Sequence, residues 1–369
     1  MEEYFKEEVN INDNTMDKNA QINMKQRIEW VDILKGMAIF FVVFGHVEVY
    51  SENHLEGFFY RLQDVFCMPL FFFLSGLFAK PQYSVNDSIL HIKKKFIQLM
   101  IPFLVCGTLR IFFMSSKPFW ALFWYPNGQG HCGYWFLLVL FELYVLFTLS
   151  QTITRKLTKD LYGKTFFVVA LVIELILSII YVLVAHKGML VKEPWYTAIS
   201  FVRLYYNFPF FILGYLFMRN KNWMVKFFCK RTYNVSLLLF AGLYVIYDKY
   251  DIVSLPLRLI LSFLAVTVIA SLCRSFEDTI MKTNNNCKNV IEYIGRHTLE
   301  IYVLHYFFIP RNMNYLRDII VPNNLMDVNI ILELIINSCI ACAIIGVTLC
   351  CAFLIRENAY LKLLFFGKH

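Results

Sequence analysis

The first strongly apolar segment of the chain, DILKGMAIFFVVFGHVEV at residues 32–49, carries ionisable side chains near both of its ends. Lys35 and His46 are eleven helical steps apart, which is about 16 Å along the axis and three turns plus about 20° around it. The two side chains therefore share one helix face. Asp32 stands one turn before Lys35, where a carboxylate pairs with the lysine or caps the helix start.

This arrangement is suited to proton transfer at one end and to anion binding at the other. An imidazole with the ordinary pKa of about 6.5 accepts protons at physiological pH, so His46 is a candidate general base. A nucleophilic histidine is the chemical alternative. The structural alternatives are that Lys35 snorkels to lipid headgroups and that His46 is satisfied inside a helix bundle. Ionisable groups in apolar spans are costly and mark function, which favours a site.

The composition predicts an integral membrane protein. The chain has 369 residues, of which 58% are hydrophobic and 17% charged, with a mean hydropathy of +0.54; soluble domains have about 25% charged residues. The net charge of +8 reflects Lys and Arg in loops and predicts no nucleic-acid partner. The ten cysteines show no metal-ligand spacing, so we expect neither a metal site nor a disulfide framework.

Ten apolar runs of about 20 residues predict an all-α, polytopic membrane protein with about ten transmembrane helices. Lys and Arg concentrate in alternate loops, which places both termini in the cytoplasm. We interpret residues 1–26 as a flexible cytoplasmic tail and 27–369 as a single transmembrane domain. The predicted spans are 30–50, 64–80, 96–115, 134–151, 165–185, 199–218, 233–250, 256–274, 290–309 and 329–355.

Several of these segments carry a family resemblance. RIEWVDILKGMAIFFVVFGHV resembles the opening of the acyltransferase 3 family of bacterial membrane O-acyltransferases, in which a basic residue, ten further residues and a histidine recur; Lys35 and His46 fit this spacing. FCMPLFFFLSGLFAK at 66–80 and YWFLLVLFELY at 134–144 resemble the second helix and the WFL segment of the family. FPFFILGYLF at 208–217 and IGRHTLEIYVLHYF at 294–307 resemble later helices of the family, so the resemblance covers about residues 27–355. Within the family, the sequence looks most like the fucose 4-O-acetylase-like proteins.

The resemblance implies transfer of an acyl group, commonly acetyl, from cytoplasmic acyl-CoA to a sugar hydroxyl at the outer face of a bacterial inner membrane. Acyl-CoA is then a co-substrate, and no permanently bound cofactor is expected. Lys35, fixed by Asp32, is predicted to hold the donor, and His46 to take the proton of the acceptor. A polysaccharide or lipid-linked sugar exporter is the alternative function, because a polar outer chamber between helices also suits glycan movement.

Further polar side chains are predicted near the same outer chamber. His305, which should lie level with His46, and Glu142, in the fourth span, are further catalytic candidates. Arg110 is expected inside the bundle, paired with Glu142. Arg203 and Arg258 begin two spans at the outer side, where they line the chamber or snorkel to headgroups. His131, in the loop before the fourth span, either joins the chamber or is an ordinary loop residue.

A basic cluster, HIKKKFIQLMIPF at 91–103, precedes the third span on the inner side. Family members often have two basic residues three positions apart here, a pair linked to CoA binding. Lys95 matches the first, whereas Gln98 replaces the second and brings no charge. Lys95 is therefore predicted to contact the donor, although a cluster that only orients the span gives the same pattern.

Overall fold

The computed structural model describes residues 29–51, 58–114, 118–123, 130–158, 160–186, 198–220, 229–250, 255–280, 286–311, 313–320 and 330–368. Within these ranges the protein is built from helices and turns, without a strand. The predicted tail at 1–26 lies outside the described residues. The α-helices are α1 Glu29–Ser51, α2 Phe58–Leu77, α3 Val85–Lys95, α4 Ile101–Met114, α5 Trp135–Leu157, α6 Lys164–His186, α7 Phe201–Arg219, α8 Lys230–Tyr250, α9 Leu255–Ile280, α10 Asn286–Arg296, α11 Thr298–Leu304, α12 Asn314–Ile320, α13 Ile330–Arg356 and α14 Ala359–Phe366.

Eight of the described helices are long and apolar enough to cross a bilayer, which confirms the all-α, multi-pass architecture. The third of them begins earlier than predicted, since α3 continues through a π-helical turn, Phe96–Met100, into α4. The seventh predicted span forms α8, which begins with the polar residues KRTYN and is not among these eight helices. The ninth is divided into α10, α11 and a 3₁₀ turn, His305–Phe307, with the break at His297.

Close helix crossings in the bundle centre depend on glycine. A Cβ added to Gly76 of α2 would overlap the Phe211 carbonyl of α7, and one added to Gly214 would overlap the Phe73 carbonyl of α2. Gly295 of α10 approaches the Asp32 carbonyl of α1 in the same way. Small residues let helix backbones pack closely in a bilayer, where no hydrophobic force between helices is available. These contacts fix α2 against α7 and α10 against α1.

Helix α1 lies in the interior of the bundle, packed by α2, α9, α10, α11 and α13. Its buried apolar residues belong to one continuous cluster that runs from Trp30 to Phe366. By contrast, α6 exposes a broad face of leucine, isoleucine and valine, the surface expected to contact lipid. The helix that carries Lys35 and His46 is thus held rigidly on several sides.

Candidate active site

A cavity of about 420 Å³ opens beside the second half of α1. Its wall is formed by α1, α2, α7 and α9, by the turn that precedes α5, and by the segment around Tyr302 and Tyr306. Ligand pockets commonly have volumes of about 300–1,000 Å³, so this space is large enough for a small organic molecule. Of the predicted site residues, the cavity wall includes His46, His131, Arg203 and Arg258.

His46 is fixed in this wall by aromatic residues. Its Nε2 lies 2.8 Å from the hydroxyl oxygen of Tyr306, and the two ring centroids are 4.9 Å apart. The His305 ring stacks against it with centroids 5.3 Å apart and an angle of 18° between the planes. On the side of α2, Gly45 permits close approach, because a Cβ there would overlap the Gln63 side chain. These contacts restrict the imidazole to one orientation.

The hydrogen bonds of Tyr306 indicate which nitrogen of His46 is protonated. The phenol has one proton, and its oxygen lies 3.0 Å from the Gly133 carbonyl oxygen, a group that only accepts. The phenol therefore donates its proton to the Gly133 carbonyl, and His46 donates its Nε2–H to the phenol oxygen. His46 Nδ1 then carries the lone pair, and within the described part of the chain it makes no hydrogen bond. A lone pair on an imidazole in a cavity wall can accept a proton from a ligand.

Arg110 supports Tyr306 from behind. Its guanidinium carbon lies 3.9 Å from the centroid of the Tyr306 ring and 5.3 Å from that of Tyr50, and its Nη1 donates to the Cys132 carbonyl. Arg110 is buried and does not line the cavity. The predicted pairing with Glu142 is wrong: the structure gives Arg110 the rings and this carbonyl as partners. Glu142 is not part of the cavity wall either.

The turn before α5 brings two carbonyl groups to Arg110 and Tyr306. His131, Cys132 and Gly133 all have positive φ angles, of 67°, 46° and 83°. His131 is buried, and its Nδ1 lies 3.0 Å from the Leu122 carbonyl oxygen. A Cβ on Gly133 would overlap both the Arg110 guanidinium and the Tyr306 ring. This left-handed turn therefore requires glycine at position 133.

His305 lies at the level of His46 but outside the cavity. It is fully buried, and its Nδ1 is 3.0 Å from the Ile301 carbonyl oxygen of the preceding turn. Because a carbonyl accepts, Nδ1 carries the proton. The structure thus places His305 behind His46, as a packing partner of the ring rather than in contact with the cavity.

Two arginines lie on the opposite wall in different electrostatic settings. Arg258 Nη2 is 2.6 Å from Asp64 Oδ2, and the backbone carbonyl of Arg258 accepts from the Tyr206 hydroxyl at 3.2 Å. The Arg203 guanidinium carbon lies 4.4 Å from the Trp135 ring centroid. Within the described residues, its guanidinium makes neither an ion pair nor a hydrogen bond. Both arginines line the cavity.

The N-terminal end of α1 holds two of the remaining predicted residues, Asp32 and Lys35. Lys35 Nζ lies 4.0 Å from Asp32 Oδ1, the pairing expected from their spacing, and 4.7 Å from the Phe78 ring centroid. Asp32 also lies 3.9 Å from Arg296 Nε. Lys95 Nζ is 4.2 Å above the Tyr144 ring, directly before the π-helical turn. Asp32, Lys35 and Lys95 do not line the cavity that contains His46.

Sequence reasoning missed the partners that complete the cavity. Tyr306 and Tyr302 follow the break in the ninth predicted span, and Asp64 begins the second predicted span without any distinguishing pattern. Trp135 belongs to the WFL segment of the family resemblance, but nothing in the sequence indicated that it lies in the site. Among the described residues no group of three or more His, Cys, Asp or Glu is placed to hold a metal ion.

A helical bundle with a histidine–tyrosine pair in a cavity at one end of α1 and basic groups at the other end defines a multi-pass membrane protein with an enzyme-like site. The family model for the acyltransferase domain of the acyltransferase 3 family matches residues 28–357. The chain belongs to this family and is a membrane acyltransferase. Neither a curated protein nor a solved structure matches it significantly.

Proposed function

We propose that this acyltransferase moves an acetyl group from cytoplasmic acyl-CoA to a hydroxyl of a cell-surface or exported glycan, in the cytoplasmic membrane of a bacterium. The observation that carries the proposal is the position of His46 in the wall of a cavity of about 420 Å³, with Nε2 held by Tyr306 and with no hydrogen-bond partner for Nδ1 among the described residues. A fixed imidazole with an unoccupied lone pair is suited to accept the proton of a hydroxyl.

The reaction balances with this one base. As the acceptor oxygen attacks the thioester carbonyl carbon, its proton passes to His46 Nδ1. The tetrahedral intermediate then collapses, the C–S bond breaks, and His46 returns the proton to the departing CoA sulfur. The products are the O-acyl ester and free CoA. Tyr306 keeps the ring oriented throughout and stabilises the imidazolium by accepting from its Nε2–H.

The inner residues suit the donor. Acyl-CoA is anionic at its nucleotide end and carries its thioester on a long, thin arm. Lys35, held near Asp32, and Lys95, at the start of the π-helical turn, are cations at the end of the bundle opposite His46. The separation of about 16 Å along α1 allows the arm to reach from a cytoplasmic anchor towards the base. Lys35 and Lys95 are therefore proposed to bind the nucleotide phosphates.

The test combines cells and purified protein. Surface glycans from wild-type, deletion and His46→Gln cells are compared by mass spectrometry, and purified full-length protein is assayed with radiolabelled acetyl-CoA. Loss of a general base should lower kcat by about 10²–10⁴-fold and remove the acyl mass from the glycan. Normal acylation by His46→Gln protein at wild-type expression would exclude the proposed role of His46.

The same experiment separates the rival functions and mechanisms. An exporter would accumulate glycan inside deletion cells while the acylation of the exported material stays unchanged. A nucleophilic histidine would retain label on the protein when acceptor is omitted, whereas direct transfer leaves the protein unlabelled. Accumulation of glycan without an acylation change would reject the acyl-transfer proposal for this chain.

A further inference from the structure

The two arginines of the cavity differ in what balances their charge. Arg258 is neutralised by Asp64 at 2.6 Å, and Asp64 is the one carboxylate among the described residues that line the cavity. Arg203 makes no ion pair in the described part of the chain, although Asp64 attracts it at longer range. The described residues that line the cavity thus carry two arginines and one carboxylate, an excess of one positive charge.

The packing of Arg203 leaves its hydrogen-bonding edge available. One face of the guanidinium is taken by Trp135, at 4.4 Å from the ring centroid. A stacked guanidinium still presents its N–H donors in the plane, in a fork that matches the two oxygens of a carboxylate or phosphate. An unpaired cation inside a membrane protein is costly, and it persists where a ligand or a counter-charge uses it.

A second polar group stands one turn further along α7. Asn207 is 2% exposed and lines the cavity; its Nδ2 donates to the Arg203 carbonyl at 2.7 Å. Its Oδ1 has no hydrogen-bond partner within the described residues. A buried carbonyl oxygen without a donor costs about 1–3 kcal/mol, which a ligand hydroxyl would recover. Arg203 and Asn207 together present donors for an anion and an acceptor for a neighbouring hydroxyl.

We propose that the acceptor glycan is acidic and that its carboxylate or phosphate group binds Arg203, while Asn207 Oδ1 accepts from an adjacent sugar hydroxyl. The inference rests on the proposed function in that the hydroxyl to be acylated is the one that faces His46. It adds the substrate class: a uronic-acid-type or phosphate-bearing sugar, in preference to a neutral one. Arg203 is a specificity-determining residue in this proposal, and Arg258, already paired, is not.

The test measures binding, so it does not require turnover. Full-length protein in nanodiscs is titrated with methyl β-D-glucuronide and with the corresponding neutral carboxamide, and apparent affinities are taken from the shift of the thermal unfolding midpoint. A second pair, methyl glucoside 6-phosphate and methyl glucoside, distinguishes phosphate from carboxylate. We expect at least one anionic probe to bind about tenfold or more tightly than its neutral counterpart, as a charge-assisted bidentate contact provides.

Two variants locate the effect. Arg203→Gln should abolish the preference for the anionic probe. The double variant Asp64→Asn with Arg258→Gln removes an ion pair without changing the net charge and should retain the preference. If Arg203→Gln does not fold, the comparison of acid and amide binding to the wild-type protein still decides whether the site prefers an anionic ligand.

Equal binding of the members of both pairs, including binding of neither, overturns the inference, as does a preference that survives in Arg203→Gln. If Arg203 instead stabilised the oxyanion of the reaction, charged and neutral probes would bind alike and the variant would lower kcat with every acceptor. Since binding and acetyl transfer are read separately, failure of the acidic-acceptor inference is distinguishable from failure of the proposed function.

Discussion

The hydroxyl oxygen of Tyr306 lies 2.8 Å from Nε2 of His46, although the two residues are 260 positions apart in the sequence. The same oxygen is 3.0 Å from the Gly133 carbonyl oxygen, and the Arg110 guanidinium covers one face of the ring. Tyr306 thus joins the base on α1 to the turn before α5 and to the arginine of α4. The orientation of His46 depends on this tyrosine.

Replacing Tyr306 by phenylalanine should lower kcat by about tenfold and leave the KM for both substrates nearly unchanged. The change removes one hydrogen bond to the imidazole, worth about 0.5–1.5 kcal/mol, and with it the restraint on the tautomer of His46. The measurement is steady-state acyl transfer by purified protein with labelled acetyl-CoA.

Tyr134→Phe is the matched control for this prediction. Tyr134 is buried, its ring packs edge-to-face on Tyr306, and its hydroxyl donates to the Val303 carbonyl at 2.8 Å, without a contact to His46. Each variant loses one hydroxyl that donates to a buried backbone carbonyl, and only Tyr306→Phe also loses the hydrogen bond to His46. An equal drop in kcat for the two would indicate a general packing effect and would contradict the orienting role of Tyr306.

Gly133→Ala should both destabilise the protein and reduce its activity. The residue has φ of 83°, and a Cβ would overlap the Arg110 guanidinium and the Tyr306 ring. A non-glycine residue in this region costs about 1–3 kcal/mol before the overlap is counted. The unfolding midpoint in detergent and the kcat of the same preparation are the two readouts.

Gly242→Ala provides the comparison, since nothing lies within 4 Å of the position of its Cβ. This glycine is inside helix α8, where alanine is favoured by about 0.5–1 kcal/mol. We expect an unchanged or higher midpoint for this variant. A Gly133→Ala protein as stable and active as wild type would show that the turn tolerates a side chain, against the geometry described above.

Periodicity and hydropathy were sufficient to predict most of the long helices and the spacing of Lys35 and His46 along α1, because span length and helical spacing are local properties. The partners of His46 are not local. Tyr306 reaches it only because the ninth predicted span breaks at His297 and ends in a 3₁₀ turn. The run of left-handed residues at 131–133 likewise has no clear sequence pattern.

The wrong pairing of Arg110 with Glu142 has a related cause. In an apolar sequence, the most obvious partner for the charge of Arg110 is an acidic residue at a similar depth in the membrane, and Glu142 meets that condition. In the structure, aromatic faces and a backbone carbonyl satisfy the arginine instead, an arrangement that guanidinium groups adopt readily. The sequence shows which residues are charged, but it does not show which aromatic rings and backbone carbonyls the fold brings next to them.

Lys35→Met should raise the KM for acetyl-CoA by about 10–100-fold with little change in kcat. A hydrogen bond to a charged group contributes about 1.5–3 kcal/mol, and the methionine keeps the apolar stem while removing the charge. The decisive comparison uses acetyl-pantetheine, which lacks the nucleotide phosphates. With this donor, wild type and Lys35→Met should have similar KM values.

Lys156→Met controls for the general loss of a cation at the predicted cytoplasmic side, since Lys156 is exposed at the end of α5. Its KM for acetyl-CoA should equal that of wild type. If Lys35→Met also leaves this KM unaltered, the lysine is a membrane-interface residue, and the donor-binding proposal for it is abandoned.

Glu300→Gln should lower the stability of the protein by about 3 kcal/mol, because the carboxylate is the centre of a buried charge cluster. Glu300 is 1% exposed and lies 2.9 Å from Arg356 Nη2, 3.1 Å from Lys368 Nζ and 2.9 Å from His297 Nδ1. Arg296 lies four residues before Glu300 but pairs with Glu292 instead. Removing one partner of a buried ion pair commonly costs about 3–5 kcal/mol. The lower end of this range applies here, because Arg356 and Lys368 are partly exposed.

The cluster connects α11, the helix before Tyr306, to α13 and to the segment after α14, so the loss should also reduce kcat by displacing Tyr306 from His46. Lys368→Ala should have a smaller effect on the unfolding midpoint, because Lys368 is more exposed than its partner and Arg356 still compensates Glu300. Glu357→Gln, at an exposed position directly after α13, should leave the midpoint unchanged. Equal midpoints for Glu300→Gln and Glu357→Gln would mean that the cluster contributes no net stability, as is found for ion pairs whose desolvation cost matches their attraction.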